Sequence, residues 1–295
     1  MTGAISHAFA GLPNGIRLHY AQAGAGRPIL FLHGFPEFWY AWKDQLLAFG
    51  GDHHAVAPDM RGFNLSSCPP EVAAYRPKLL VEDIQLLAQH LGWSRFTLVA
   101  HDWGGAVAWN FAARHSQLLD RLIILNAPHA VTFARELRDN PTQQAASRYM
   151  NLFREARAES LLAEDNYRRL RAMTLDMWAA NGGRADAEDH AAYRAAWSQP
   201  GALTGSLNYY RVSPLHPPTP DEPNVVQIDP AGFHVKVPTL VIWGERDQAL
   251  LTGNLDGLEQ HVDELRVERL ADVSHWVAHE RPERVNSLMR DFLNR

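Results

Sequence analysis

The sequence has almost no cysteine. Cys68 is the only cysteine among 295 residues, so no disulfide can form within the chain and a disulfide-stapled secreted fold is excluded. A reducing, cytoplasmic location is the expectation that follows. The first residues also lack the basic cluster and apolar run of a signal peptide, which favours the same expectation.

Long apolar runs and an excess of basic charge are missing as well. No apolar stretch approaches the roughly 20 residues that span a bilayer. The formal net charge of −5 gives no support to binding nucleic acid or an anionic membrane, which would need a basic patch. We therefore expect neither nucleic acid nor membrane as a partner, and the sequence leaves open whether the chain forms a homodimer.

Short apolar runs alternate along the chain with helical patterns. The turn at residues 13–15 leads into an alternating strand pattern at residues 16–21. Short apolar runs typical of buried strands follow at residues 28–32, 54–58, 96–100, 122–125, 239–243 and 265–270. Helical spacing occurs at residues 79–91, 104–115 and 282–293. Strands that alternate with helices predict an α/β fold with a mostly parallel, doubly wound sheet flanked by helices.

Residues 131–228 depart from this alternation. They are rich in Arg, Ala and Glu, show helical segments without a strand pattern, and end in a proline-dense stretch. We expect a helical cap here, inserted into a core made of residues 1–130 and 229–295, because a lid above the carboxyl ends of the strands would cover a ligand. The alternative is that these helices merely flank the sheet.

The strand pattern at residues 96–100 runs into His101-Asp102-Trp103-Gly104-Gly105, and a helix follows. This is the strand, sharp turn and helix arrangement of the G-x-S-x-G elbow, with aspartate at the position of the nucleophile. A carboxylate is ionised at neutral pH, is favoured at a helix N-terminus, and can attack an electrophilic carbon to form an ester. The competing interpretation is that Asp102 only caps the helix.

An ester on Asp102 must be cleaved by water, which calls for a general base oriented by an acid. Asp247 follows the run at 239–243, and His275 follows the run at 265–270, so the order Asp102, Asp247, His275 matches the nucleophile, acid and histidine of α/β hydrolases. Alternatives to Asp247 are Glu245, Asp256 and Asp272, and the histidines expected at the surface include His53, His115, His261 and His279.

The segment His33-Gly34-Phe35-Pro36-Glu37 follows the run at residues 28–32. The backbone N–H groups of Phe35 and Trp103 are candidates for an oxyanion hole, in which one donor is typically worth ~10²–10³ in rate. Pro36 has no N–H and cannot contribute. The alternative is a loop stiffened by glycine and proline with no catalytic part.

These motifs together resemble the soluble epoxide hydrolases of the α/β-hydrolase superfamily. The matching segments are His33-Gly34-Phe35-Pro36-Glu37, Asp59-Met60-Arg61-Gly62, His101-Asp102-Trp103-Gly104-Gly105, Gly244-Glu245-Arg246-Asp247 and Ser274-His275-Trp276. The resemblance implies a small apolar epoxide and water as reactants, an Asp102 ester as intermediate, and neither a metal nor an organic cofactor. Haloalkane and haloacetate dehalogenases share the aspartate nucleophile.

The resemblance also implies two cap tyrosines that donate to the epoxide oxygen. Tyr210 in Leu207-Asn208-Tyr209-Tyr210-Arg211 matches one of them, and Tyr149 in the segment 147–153 matches the other. Tyr209 would take over if the register slipped. Other substrate contacts are expected from His33, Pro36, Trp103, Phe153, Tyr209 and Trp276.

Two other functions compete with epoxide hydrolysis. The sequence also resembles haloalkane dehalogenases, but those enzymes carry asparagine at the position of Phe35. Haloacetate dehalogenases carry arginines just after the nucleophile, where this chain has Trp103 and Ala106. Both departures favour an epoxide over a carbon–halogen substrate. A binding protein without catalysis is the remaining alternative, and the filled nucleophile, acid and histidine positions argue against it.

Overall fold

The structure is a computed structural model that describes residues 4–295. Eight strands form one sheet in the order β1-β2-β4-β3-β5-β6-β7-β8. The strands are β1 Ser6–Gly11, β2 Arg17–Ala23, β3 Arg27–Leu32, β4 His53–Pro58, β5 Phe96–His101, β6 Leu119–Leu125, β7 Thr239–Gly244 and β8 Leu265–Leu270. Only the pairings of β1 with β2 and of β2 with β4 are antiparallel. The mostly parallel sheet predicted from the sequence is confirmed.

Helices cover both faces of this sheet. They are α1 Lys43–Phe49, α2 Pro77–His90, α3 Asp102–Arg114, α4 Ala130–Asp139, α5 Pro141–Ala146, α6 Tyr149–Arg154, α7 Ala158–Met173, α8 Leu175–Ala180, α9 Ala187–Trp197, α10 Ala202–Val212, α11 Val277–Glu280 and α12 Pro282–Leu293. Side chains of α1 and α12 pack on one face, and those of α2 and α3 pack on the other. Burial on both faces explains why the central strands are continuous apolar runs rather than alternating patterns.

The first strand was not predicted. β1 pairs only with β2, and its residues are mostly exposed, including Phe9 at 45%. An edge strand of this kind has no buried apolar run, so its sequence carries little strand signal. The hairpin turn at residues 13–15, which was predicted, joins β1 to β2.

Helices α4–α10 lie between β6 and β7, and no strand of residues 4–295 falls in that interval. α4 begins at Ala130, directly after the loop that follows β6. α7 is interrupted over residues 164–167, where Asp165, Asn166 and Tyr167 have positive φ. The helical character predicted for residues 131–228 therefore matches the secondary structure of this interval.

Within residues 4–295, none of the helices combines the length and the apolar character needed to cross a bilayer.

Candidate active site

The turn between β5 and α3 presents Asp102 at the carboxyl edge of the sheet. Asp102 has φ +50°, a region that residues other than glycine rarely adopt and that is often strained at functional sites. The helix can approach the neighbouring strand so closely only because position 104 is glycine. A Cβ on Gly104 would overlap the carbonyl oxygens of Leu32 and His33. The turn thus has the backbone form of a nucleophile elbow.

The carboxylate of Asp102 faces the loop that follows β3. The backbone N–H of Phe35 donates to Asp102 Oδ1 at 2.8 Å. Gly34 lies so near that a Cβ there would overlap the Asp102 side chain. One carboxylate oxygen is thereby held by the backbone N–H of Phe35, and the role of this N–H in an oxyanion hole stays a prediction. The contribution expected from the Trp103 amide stays a prediction.

The structure brings together the three side chains that the sequence singled out far apart in the chain. His275 Nδ1 lies 2.7 Å from Asp247 Oδ2, and His275 Nε2 lies 3.7 Å from Asp102 Oδ2. The imidazole therefore lies between the two carboxylates. Two of the alternatives to Asp247 are instead paired at the surface, Glu245 with Arg269 and Asp272 with Arg281.

Sequence reasoning missed the residue that holds Asp247. Asn126, at the carboxyl end of β6, is fully buried and donates from Nδ2 to Asp247 Oδ2 at 2.8 Å. The backbone N–H groups of Ala249 and Leu250 donate to the other oxygen, Oδ1. Asparagine adopts positive φ more readily than most residues, and Asn126 has φ +36°. A lone asparagine after a buried strand was the available signal.

The loop that carries His275 is held by a second buried carboxylate. Glu280, which is 3% exposed, accepts the Ser274 backbone N–H at 2.8 Å and also contacts the Ser274 hydroxyl. His101 Nε2 lies 3.0 Å from the carbonyl oxygen of His275. These contacts fix the backbone on both sides of the imidazole, and nothing in the spacing of the sequence indicated them.

Glu37 joins the nucleophile elbow to helices α9 and α11. This buried carboxylate accepts the Tyr193 hydroxyl at 2.9 Å and lies 2.6 Å from His279 Nε2 and 3.3 Å from His101 Nδ1. Although burial would raise the pKa of Glu37, its contacts with His279 and His101 hold that pKa well below its usual range. The prediction that His279 is a surface residue is therefore wrong, and the same holds for the buried His53.

Opposing effects set the protonation of the buried pair His275 and Asp247. Burial disfavours the imidazolium, but the charges of Asp247, Asp102 and Glu37 outweigh it and raise the pKa of His275 to about 9. Burial likewise opposes ionisation of Asp247, yet the neighbouring His275 lowers the pKa of Asp247. In the absence of substrate, His275 is thus an imidazolium between two carboxylates near neutral pH.

This arrangement predicts a pH-dependent stability. The pKa of His275 is about 9 in the folded chain and near 6.5 when unfolded, so its stabilisation is complete below pH 6.5 and is lost as pH rises to 9. The loss amounts to at most about 3 kcal/mol at 1.36 kcal/mol per pKa unit. Chemical denaturation across this range should show a falling free energy of unfolding for the wild type and a flatter profile for His275→Gln. Parallel profiles would contradict the assignment.

Two tyrosines share a cavity with Asp102. Tyr149 from α6 and Tyr210 from α10 both line it, with ring centroids 6.2 Å apart, and Trp103 packs edge-on against Tyr210 at 5.0 Å. Burial, reinforced by nearby acidic groups that include Asp102, raises the pKa of both phenols well above the usual value. Both hydroxyls therefore remain protonated and can donate.

The cavity is large and apolar. Its empty volume is about 1040 Å³, part of it open to solvent, and it is lined by side chains of α2, α3, α4, α6 and α10 and of the segment that follows α10. An apolar cleft with a few polar groups suits a neutral organic molecule. His275 and Phe35 contact Asp102 without lining the cavity.

Some predicted substrate contacts lie elsewhere. The residues outside the cavity lining are His33, Pro36, Phe153 and Trp276. His33 is fully buried, with Nδ1 at 2.8 Å from the Gly34 oxygen and Nε2 accepting the Met60 N–H. Burial lowers the pKa of His33, so it is a neutral residue that supports the loop rather than the substrate.

The remaining corrections follow from packing. The Pro36 carbonyl accepts the Trp197 indole N–H at 2.6 Å, and Phe153 packs behind the site against Phe35 and Tyr210. The Trp276 ring lies against His275. Tyr209 does line the cavity with its ring, but its hydroxyl donates to the Arg61 carbonyl at 2.8 Å and is not free for substrate.

The sheet order, the strained aspartate and the acid–histidine pair define an α/β hydrolase. A family model described as alpha/beta hydrolase fold matches residues 27–282. Epoxide hydrolase 3 of Xenopus tropicalis is 38% identical over 95% of this chain and 75% of its own length. Epoxide hydrolase 2 of Caenorhabditis elegans is 37% identical over 98% of this chain and 80% of its own. The chain belongs to the epoxide hydrolase family of α/β hydrolases.

Solved structures agree with this membership. The crystal structure of Bacillus megaterium epoxide hydrolase in complex with an inhibitor matches with a TM-score of 0.90 and 38% identity, covering 98% of this chain and 100% of that one. An epoxide hydrolase from metagenomes of hot environments matches with a TM-score of 0.84 and 40% identity, covering 99% of each chain.

Among residues 4–295, no group of three or more His, Cys, Asp or Glu side chains could hold a metal ion.

Proposed function

We propose that the protein hydrolyses epoxides to vicinal diols through an ester of Asp102. The observation that carries the proposal is the shared cavity, in which a carboxylate nucleophile and two protonated phenols converge. Opening an epoxide creates an alkoxide, a poor leaving group unless an acid donates to it. A halide would need no such acid, so the tyrosine pair favours an epoxide.

In the first step, Asp102 attacks an epoxide carbon while Tyr149 and Tyr210 donate to the ring oxygen. Oδ1 is engaged by the Phe35 N–H, so Oδ2 is the oxygen we assign to the attack. The C–O bond of the epoxide breaks, its oxygen takes a phenol proton, and the carboxylate becomes a neutral ester. Asp102 loses its charge in this step.

That loss of charge prepares His275 for the second step. Because the Asp102 carboxylate helps to raise the pKa of His275, esterification lowers that pKa and lets the imidazolium release its proton, which restores the phenol. Neutral His275, oriented by Asp247, then takes a proton from water as the water attacks the ester carbonyl. The Phe35 N–H lies on the oxygen that becomes the oxyanion. Collapse breaks the bond between the Asp102 carbonyl carbon and the ester oxygen, and the departing alkoxide takes the proton of the new carboxylic acid. The diol then leaves Asp102 as a carboxylate and His275 as an imidazolium.

The helices between β6 and β7 supply both tyrosines, and we propose that residues 131–228 act as a cap over a core of residues 1–130 and 229–295. A small apolar epoxide and water are the reactants in this scheme, with neither metal nor organic cofactor in any step. The cytoplasmic location stays a prediction, to be checked by cell fractionation. The sequence leaves the homodimer open, and light scattering decides it.

A single assay separates the candidate reactions. Purified protein should convert styrene-type epoxides to diols and release no halide from fluoroacetate or from a short bromoalkane. Asp102→Ala is the matched control and should abolish diol formation. Halide release without any turnover of epoxides would overturn the proposal in favour of a dehalogenase, and no turnover of any of the substrates would favour a binding protein.

A further inference from the structure

The cavity extends well beyond the reacting groups along one face of α3. Asp102, Ala106 and Asn110 recur at four-residue spacing on the helix and all line the cavity. With a rise of about 1.5 Å per residue, Asn110 lies about 12 Å along the helix axis from Asp102. A substrate that reaches from the nucleophile to Asn110 must therefore be elongated.

Most polar side chains that line this extension already have partners. Four of them donate a hydrogen bond to a backbone carbonyl oxygen. The pairs are the Tyr75 hydroxyl with Pro69, the Tyr209 hydroxyl with Arg61, the Trp109 indole N–H with Ala127 and the Ser213 hydroxyl with Leu215. The Ser213 oxygen also accepts the Leu215 N–H. None of these groups can donate to a ligand without losing a bond within the protein.

Asn110 is different. Its Nδ2 donates to the Ala106 carbonyl at 2.9 Å, which fixes the orientation of the amide, while no donor within residues 4–295 reaches its Oδ1. The half-buried side chain lines the apolar cavity, and its Oδ1 is an acceptor with no partner in the described part of the chain. A hydrogen-bond donor placed at this position would gain a partner in Oδ1, whereas a second acceptor or an apolar group would gain none.

The lining also lacks positive charge. No lysine, arginine or histidine is found among the lining residues of the described chain, and Asp102 is negatively charged. A carboxylate carried into this cavity would lose its hydration and gain no cationic partner, which is costly. The cavity therefore discriminates against anionic substrates.

We infer that the preferred substrates are neutral, elongated epoxides with an apolar or aromatic body and an N–H or O–H donor at the far end, received by Asn110 Oδ1. This inference rests on the proposed function and specifies its substrate class. Because Asn110 lies far from the reacting bond, its contact should be the same in the ground state and the transition state and should act on KM rather than kcat.

The test uses phenyl glycidyl ethers with carboxamide, carboxylate or isopropyl at the para position, three groups of similar shape. With the wild-type protein at neutral pH, the carboxamide should exceed the carboxylate at least ~10-fold in kcat/KM. In Asn110→Leu, the carboxamide-to-isopropyl ratio of kcat/KM should fall at least ~10-fold through KM, because the carboxamide loses its acceptor in an apolar cavity. Asn181→Leu is the matched control and should keep the wild-type ratio, because Asn181 makes the same bond to the carbonyl four residues earlier but lies outside the cavity lining.

The outcomes separate this inference from the proposed function. Equal kcat/KM for carboxamide and carboxylate would overturn the discrimination against anions, and an unchanged ratio in Asn110→Leu would overturn the role of Asn110. Either result, with turnover of the isopropyl ether, leaves epoxide hydrolysis standing. If styrene-type epoxides react but none of the three ethers does, the cavity extension is not the substrate site. Should Asn110→Leu fail to fold, the comparison of carboxamide with isopropyl on the wild type still decides, because a carboxamide that gains nothing over isopropyl in kcat/KM would overturn the preference for a donor.

Discussion

Replacing His275 by glutamine is expected to stop the reaction halfway, with an ester accumulating on Asp102. The first step uses only the carboxylate and the phenols, whereas the second needs a neutral imidazole to deprotonate water. Loss of a general base typically costs ~10²–10⁴ in rate, and here the whole loss should fall on hydrolysis of the ester. Intact-protein mass spectrometry after mixing with a styrene-type epoxide should show one added substrate mass.

The position of the added mass makes this prediction specific. Peptide mapping should place it on the segment that contains Asp102, and the double variant with Asp102→Ala should show none. Wild-type protein should accumulate less, because hydrolysis empties the ester. If His275→Gln lost turnover without accumulating an adduct, His275 would act before the ester forms, and the proposed order of steps would be wrong.

Replacing both Tyr149 and Tyr210 by phenylalanine is expected to remove epoxide ring opening, with a loss of ~10²–10⁴ in the rate of ester formation. The two rings remain and the cavity keeps its shape, so binding should change little. Each single variant should lose less, since the other hydroxyl still donates. Stopped-flow measurement of alkylation under single-turnover conditions reports this step directly.

Tyr209→Phe is the matched control for these variants. Its hydroxyl donates to the Arg61 carbonyl, so the change should lower thermal stability while affecting alkylation much less than the double variant. If Tyr209→Phe instead had the larger effect on alkylation, Tyr209 rather than Tyr210 would be the second tyrosine that donates to the epoxide oxygen.

The architecture could be predicted because parallel strands buried on both faces leave an apolar run in the sequence. β3, β5, β6 and β7 each show such a run, and the strained turn at Asp102 has small neighbours that only close packing explains. The edge strand β1 carries no such signal. The acid and the histidine could be placed because each follows a recognisable strand, so the topology alone brings them to the same edge of the sheet.

Other features depend on contacts between segments that are remote in the chain. Asn126 lies 121 residues from Asp247, and Glu37 lies 242 residues from His279, so no local pattern reports either contact. The residues that line the cavity were harder to predict than the catalytic residues, because they too depend on contacts between remote segments. His33, Phe153 and Trp276 belong to the right segments, but the packing of the helices between β6 and β7 decides which side chains face the cavity.

The covalent role of Asp102 is tested most directly by a single turnover in ¹⁸O-labelled water with enzyme in excess over epoxide. The account predicts that the first diol carries an unlabelled oxygen taken from the protein, and that mass spectrometry finds the label in the peptide containing Asp102. Label that passes from water straight into the diol, with none in Asp102, would contradict it.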